Sequence, residues 1–224
     1  MPHPVRGADP GADPLAQILT AAAGGRFPPV DGGVTVLPPD ATTGLSAVLS
    51  FTGHAVVLAD RTPEEVRALG VDGYAGAHDP DTLRGLAGGG WIGVLDAVLV
   101  APGTGVGATL APTSALDQHP RVAYARDLRA DVRVLADERG LVTLGRGLAG
   151  RTELGFEVAE GQRGRGHGRA LLREALAEVE AGELVYASCA PGNARSLRSL
   201  VAVGFTFIGG EVLLRPTGIT AKAD

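Results

Sequence analysis

Thr152-Glu153-Leu154-Gly155-Phe156-Glu157-Val158-Ala159-Glu160-Gly161-Gln162-Arg163-Gly164-Arg165-Gly166-His167-Gly168-Arg169-Ala170-Leu171-Leu172 contains a change of period that decides the fold. Leu154, Phe156 and Val158 alternate with Glu153, Gly155 and Glu157, the period-two pattern of a half-buried strand. Leu171, Leu172, Ala175, Leu176 and Val179 instead recur at helical spacing. Between the two patterns, Gly164, Gly166 and Gly168 allow the main chain to turn its N–H groups toward one point. A helix starting near Gly166 adds unpaired donors and a positive dipole end. Strand, glycine-arginine turn and helix in this order form an anion cradle, and a phosphorylated ligand is expected in it.

Two glycine loops can be excluded by spacing. A P-loop needs a lysine after its second glycine, and the chain's one lysine is Lys222. A dinucleotide fingerprint needs a third glycine where Leu171 stands. The remaining pattern is Arg163-x-x-Gly166-x-Gly168. Downstream come a strand at residues 184–190, an exit at Pro191-Gly192-Asn193 and a helix with Leu197, Leu200 and Val201 as its buried stripe. Gly204 is expected to stop that helix in the left-handed conformation. Residues 205–208 and 212–214 then read as a hairpin across Gly209-Gly210. Upstream, residues 120–129 read as a helix, and 131–136 and 141–148 as two strands. In these motifs and their order, residues 119–216 resemble the GNAT superfamily of acetyl-coenzyme A dependent N-acetyltransferases.

The fold class expected is α/β: a GNAT-like mixed, largely antiparallel sheet flanked by helices at residues 113–216, preceded by an N-terminal α/β region at 15–112. That region reads as a helix at 15–23, strands at 34–37, 47–51 and 55–59, helices opened by Thr62-Pro63 and Asp79-Pro80, and one buried strand at 91–101. Residues 102–113 read as a loop, and the region either shapes an acceptor pocket or extends the same sheet. Residues 1–14 and 217–224 offer few apolar side chains and are expected to be mobile.

A net charge of −5 opposes a general nucleic-acid binder, although Arg163, Arg165, Arg169 and Arg173 cluster locally. One cysteine excludes an internal disulfide, and no apolar run reaches membrane-spanning length. The N-terminus lacks the apolar core of a signal peptide, so a soluble cytoplasmic protein is expected. The histidines show no metal-ligand spacing, and no metal is expected.

The resemblance implies acetyl transfer from acetyl-coenzyme A to a primary amine, on a small molecule or a peptide. It assigns the cofactor's pyrophosphate to Arg163, Gly164, Arg165, Gly166, His167, Gly168 and Arg169, and its pantetheine arm to the main chain of Phe156, Glu157 and Val158. Asn193 matches an asparagine near the cofactor, and is equally a helix N-cap. Two positions depart from the pattern: Glu160 stands where a proline is frequent, and Leu200 where a tyrosine often protonates the leaving thiolate. An amine must lose its proton before it attacks, and Glu153 and Glu157 are the candidate bases on the strand. Each also fits a solvated strand-face acid. Cys189, at a strand end, allows a covalent route but fits a small core residue better. Two further readings are a silent acyl-coenzyme A sensor and a module whose N-terminal region binds a partner protein.

Overall fold

The computed structural model describes residues 13–217. The mobility expected of residues 1–14 and 217–224 therefore lies almost wholly outside the described residues. Asp13, however, caps the first helix, α1 (Pro14–Ala23), by accepting from Leu15 and Ala16 N–H. Thr217 N–H donates to Ala87 O at 3.2 Å.

Three strands follow α1: β1 (Gly33–Leu37), β2 (Ser46–Phe51) and β3 (His54–Leu58). Thr52-Gly53 turns β2 back on β3. Thr62 forms a full capping box at α2 (Pro63–Ala68), and Asp79 caps α3 (Pro80–Ala87). The strand expected over residues 91–101 is broken into β4 (Trp91–Ile92) and β5 (Asp96–Pro102). Both lie along the same later strand, and residues 93–95 bulge between them while Gly93 N–H still donates to Leu213 O. β6 (Ala111–Pro112) closes the following loop, and α4 (Pro120–Leu128), β7 (Ala130–Asp137), β8 (Gly140–Arg146) and β9 (Thr152–Val158) continue the chain. The last elements are α5 (His167–Ala177), β10 (Leu184–Cys189), α6 (Ala194–Ala202) and β11 (Thr206–Arg215).

The strands join one sheet in the order β1-β3-β2-β11-β5-β10-β9-β8-β7-β6, with β4 also on β11. Only β1–β3 and β9–β10 are parallel, so the fold is α/β with a largely antiparallel sheet flanked by helices. β5, from the N-terminal region, lies in the middle, paired with β10 from Leu184↔Pro102 to Cys189↔Ala97 and with β11 on its other edge.

β11 corrects the expected hairpin. Gly209-Gly210 does not turn, because β11 is held on both edges, with Glu211 opposite Leu49 of β2 and Asp96 of β5. The glycines serve close approach: a Cβ on Gly209 would lie 2.6 Å from Ser50 O. The register shift between Phe207 and Gly209 absorbs the extra residue as a bulge.

Alternation sorts the side chains to two faces. On one, Leu171, Leu172, Ala175 and Leu176 of α5 and Leu200 of α6 pack on Leu99, Val142, Leu144, Leu154, Val185 and Ala187. Each such leucine contributes about 1.5–3 kcal/mol by leaving water. α2 and α3 cover Val48, Val57, Val212 and Leu214. On the other face, α1 covers Leu49, Phe51, Val98, Tyr186 and Ile208, and α4 lies over β7, β8 and β9. Arg215 pins the end of α4 to β11 by donating to Asp127 Oδ2 at 3.0 Å while stacking over Trp91. Val201, expected in the buried stripe of α6, is exposed; Leu200 and Phe205 already fill that side of the helix.

A fragment starting at residue 113 would lack β5 and leave facing edges of β10 and β11 unpaired. It is expected to show no cooperative thermal transition by circular dichroism, where residues 13–217 show one.

Candidate functional site

β9 and β10 run parallel but share only two registered pairs, Val185↔Thr152 and Tyr186↔Glu153. Beyond them the strands part, and the main chain of residues 154–158 faces an open cleft toward residues 187–189. β8 holds the far edge of β9 in register along its whole length, and β5 does the same for β10, so both walls are fixed.

The glycine-arginine turn closes the end of this cleft. Gly164 and Gly166 have φ of 82° and 84°, the left-handed region that favours glycine, and a Cβ at either would meet nothing. Gly168 lies in the first turn of α5, where a Cβ would come to 3.4 Å from the Phe156 ring and 3.5 Å from Val158. Among the described residues, the backbone N–H groups of Arg163, Gly164, Arg165, Gly166, His167 and Gly168 meet no acceptor. Arg163, Arg165 and Arg169 are exposed around them. Unpaired donors, a helix start and guanidiniums converge as an anion site requires. Asn193 caps α6, its side-chain oxygen accepting from Ser196 N–H at 3.2 Å. Phe156, Glu157 and Val158 line the wall, half-buried.

The face of the cleft under α4 is built from charge. Glu153 is 6% exposed and lies between two guanidiniums, accepting from Arg129 Nε at 2.6 Å and Arg151 Nε at 2.7 Å. Arg151 Nη2 reaches both Glu211 oxygens at 2.8 and 2.7 Å, and Ser188 Oγ donates to the same carboxylate. The Arg151 guanidinium also stacks 5.4 Å from the Tyr186 ring. Burial alone would raise the Glu153 carboxyl, but Arg151 and Arg129 outweigh it and bring it down to about 2. Burial likewise disfavours charge on Arg151, and Glu153 and Glu211 override it, raising its pKa. Glu153 is thus a locked anion with weak basicity. Glu157 is half-exposed, with Arg121 Nε at 3.5 Å.

Asp96 faces the same cluster from β5, opposite Glu211. Burial pushes its carboxyl up to about 6, with Glu211 adding to the rise, Arg129 opposing it and Glu153 adding to it. Tyr124 of α4 is raised by burial and by Asp96. Asp96, Arg129, Arg151, Ser188 and Glu211 were not singled out from sequence. Their signal was charge inside apolar strands, such as Asp96 before Ala97-Val98-Leu99-Val100, since buried charges require partners.

Two other positions are settled by packing. Cys189 is buried, its Sγ 3.7 Å from Ala190 O, and burial and then Asp96 push its thiol up, so it favours the protonated, unreactive form. Leu200 is 1% exposed within the core, so the tyrosine common at that position has no room here.

No protein-family profile matches the chain, and no curated protein matches it. Among solved structures, a GCN5-related N-acetyltransferase from Kribbella flavida is 19% identical, with a TM-score of 0.39, covering 62% of this chain and 65% of that one. An acetyltransferase from the GNAT family from Colwellia psychrerythraea is 12% identical, with a TM-score of 0.35, covering 55% and 56%. This chain thus spans under two thirds of either.

Arg151→Met leaves Glu153 and Glu211 buried without their shared cation and is expected to cost roughly 3–5 kcal/mol by urea denaturation. Because the Glu153 carboxyl is lowered from 4.5 to about 2 by folding, its share of stability is present above pH 4.5 and lost as the pH falls toward 2. Acid titrations of wild type and Glu153→Gln should differ across that window. Leu200→Tyr should lower stability by roughly 1–3 kcal/mol through overpacking.

Proposed function

We propose that the protein transfers an acetyl group from acetyl-coenzyme A to an amine. One observation carries this reading: two parallel strands part after two registered pairs, and the cleft between them ends on six consecutive unpaired N–H groups at the start of α5. A cleft with strand edges along its wall and an anion site at its end suits an extended ligand with a phosphate group and a chain of amides. In this reading the N–H groups of residues 163–168 hold the pyrophosphate, and Arg163, Arg165 and Arg169 add charge around it. The main chain of Phe156, Glu157 and Val158 hydrogen-bonds to the pantetheine arm as an added strand would. Asn193 borders the arm from the opposite wall. Coenzyme A, when bound, supplies a thioester whose acyl carbon is open to attack.

The acceptor enters on the face covered by α4, where Glu157, Arg121 and Tyr124 are half-exposed and can recognise a small-molecule or peptide amine. Glu153 acts as a fixed counter-charge that holds Arg129 and Arg151 in place. Alignment of the amine and the thioester supplies much of the rate. The reading assigns the protein to the cytoplasm. Leu200 favours a second reading, an acyl-coenzyme A sensor without turnover, since that position offers no acid to the leaving thiolate.

Acetyl-coenzyme A is expected to raise the melting temperature, with about 2.7 kcal/mol of stabilisation at a hundredfold excess over Kd. Gly166→Val forces a β-branched residue to a φ of 84° and covers the N–H groups, so the variant should lose this response. An unaltered response in a folded Gly166→Val protein removes the cofactor assignment. Release of free thiol with a library of amines separates the enzyme from the sensor.

A further inference from the structure

On the face under α4, three carboxylates are matched to three guanidiniums: Glu153 to Arg129 and Arg151, Glu211 to Arg151, and Glu157 to Arg121. Asp96 is the carboxylate left over. Among the described residues it has no hydrogen bond and no ion pair, although it is half-buried and directly opposite Glu211. An ionised carboxylate so placed lacks the cation that each of its neighbours has.

Two buried groups, one on β8 and one just before β9, also lack partners. The Thr143 hydroxyl is fully buried and has no partner. Thr143 stands opposite Gly155, and the Thr143, Arg129 and Arg121 side chains occupy the space that a side chain there would take. A Cβ on Gly155 would come to 2.7 Å from Thr143 Oγ1, 3.3 Å from Arg129 Nη1 and 4.0 Å from Arg121 Cδ. Arg151 Nη1, also buried, is a second orphan, a donor on the same charge network. Asp96 lies within the same charge network, with Glu211 opposite it and Arg129 and Glu153 close enough to act on its charge. A ligand with a cationic head would supply the charge that the Asp96 carboxylate lacks.

We propose that Asp96, delivered to the cleft by a strand of the N-terminal region, binds the ammonium group of the acceptor and takes its proton. This rests on the acetyl-transfer reading above and names the substrate class as a primary amine that enters as a cation. Asp96 accepts one proton from the ammonium; the freed nitrogen lone pair forms the C–N bond to the thioester carbon, and the C–S bond breaks. The nitrogen's second proton goes to the departing thiolate and the Asp96 proton to solvent, so an ammonium and a thioester give an amide, a thiol and one proton.

The groups around Asp96 suit it to this exchange. Glu211 of β11 and Glu153 of β9 oppose its ionisation, Arg129 after α4 favours it, and its charge raises the pKa of Tyr124 of α4 and, across the sheet, of Cys189 of β10. Its carboxyl, held near 6 mainly by burial, is ionised at neutral pH yet basic enough to receive a proton. Folding also raises it from 3.8, so ionisation weakens the fold: the penalty is absent below pH 3.8 and fully expressed above about 6.

The test compares wild type with Asp96→Asn, using acetyl-coenzyme A and three primary amines: putrescine, benzylamine and phenylalanine amide. Asp96→Asn should keep the cofactor-induced rise in melting temperature and lose roughly 10²- to 10⁴-fold in kcat/KM for amines. The wild-type rise of kcat/KM with pH, with a midpoint near 6, should be missing from the variant. Without cofactor, the variant should melt at a higher temperature than wild type at pH 8 and at the same temperature below pH 4. Glu64→Gln, at an exposed acid of α2, is the control, expected to keep the acidic limb. Wild-type turnover with Asp96→Asn within threefold of it overturns the Asp96 assignment and leaves acetyl transfer standing. Cofactor binding with no turnover of any amine by wild type overturns the assignment in favour of the sensor. No binding of acetyl-coenzyme A by wild type overturns both.

Discussion

A strand that parts from its neighbour loses hydrogen bonds along one edge, so its position depends on the other. β10 faces this constraint after Tyr186, where its pairing with β9 ends. β5 resolves it by pairing with β10 through to Cys189↔Ala97. The cleft is therefore open because a strand from the other half of the chain holds one wall, and β8 holds the other through seven registered pairs from Gly140↔Val158 to Arg146↔Thr152. A hairpin from residues 205–214 could have taken this place. Instead the whole of β11 lies one strand further out, between β5 and β2, and joins the two halves into one sheet.

The same interleaving accounts for the charge under α4. Glu153 comes from β9 and Glu211 from β11, with β5 and β10 between them, and Arg151 spans the gap on the face they share. Burying either acid alone would be costly, and the shared guanidinium makes both tolerable. Arg151 reaches its place from a turn that contains a non-glycine residue at positive φ, Ala149 at 55°. Asp40 secures this turn: it is buried, accepts Ala149 N–H at 2.6 Å through one oxygen, and accepts the Thr43 N–H and hydroxyl, both at 2.7 Å, through the other. A residue before β2 thus fixes the backbone that aims a cation between β9 and β11.

Local order was legible in the sequence because its causes are local. The period switch at residues 152–172, the caps at Thr62, Asp79 and Asn193, and the positive φ of Gly166 and Gly204 all follow from the side chains beside them. What the sequence hid depends on distant neighbours. Gly209-Gly210 looks like a turn unless one knows that Ser50 O lies against it. Glu153 looks like a solvated strand acid because nothing within 20 residues of it announces Arg129, and its second partner, Arg151, lies two residues away along the same strand face. The strand, glycine turn and helix start of residues 152–168 were therefore readable, and the charge network assembled from β5, β9, β11 and the end of α4 was not.

That difference bears on how the two halves of the chain relate to chemistry. The proposed anion site would be a property of backbone, since its donors are N–H groups set by glycine dihedrals, and one segment can carry it whole. A site that must hold a cation and move its proton needs carboxylates of unlike basicity, and one strand face gives neighbouring acids similar surroundings. Here unlike surroundings come from different elements: Glu153 is ion-paired with Arg129 and Arg151, while Asp96 forms no ion pair and feels Arg129 only at longer range. The first is held at about 2 and the second near 6, on one face of one sheet. In the proposed exchange, separation of that size would let one acid stay charged while the other takes the proton. The strand inserted between β10 and β11 thus does two things at once: it completes the hydrogen bonding of β10 and adds a half-buried carboxylate that has no ion pair among the described residues.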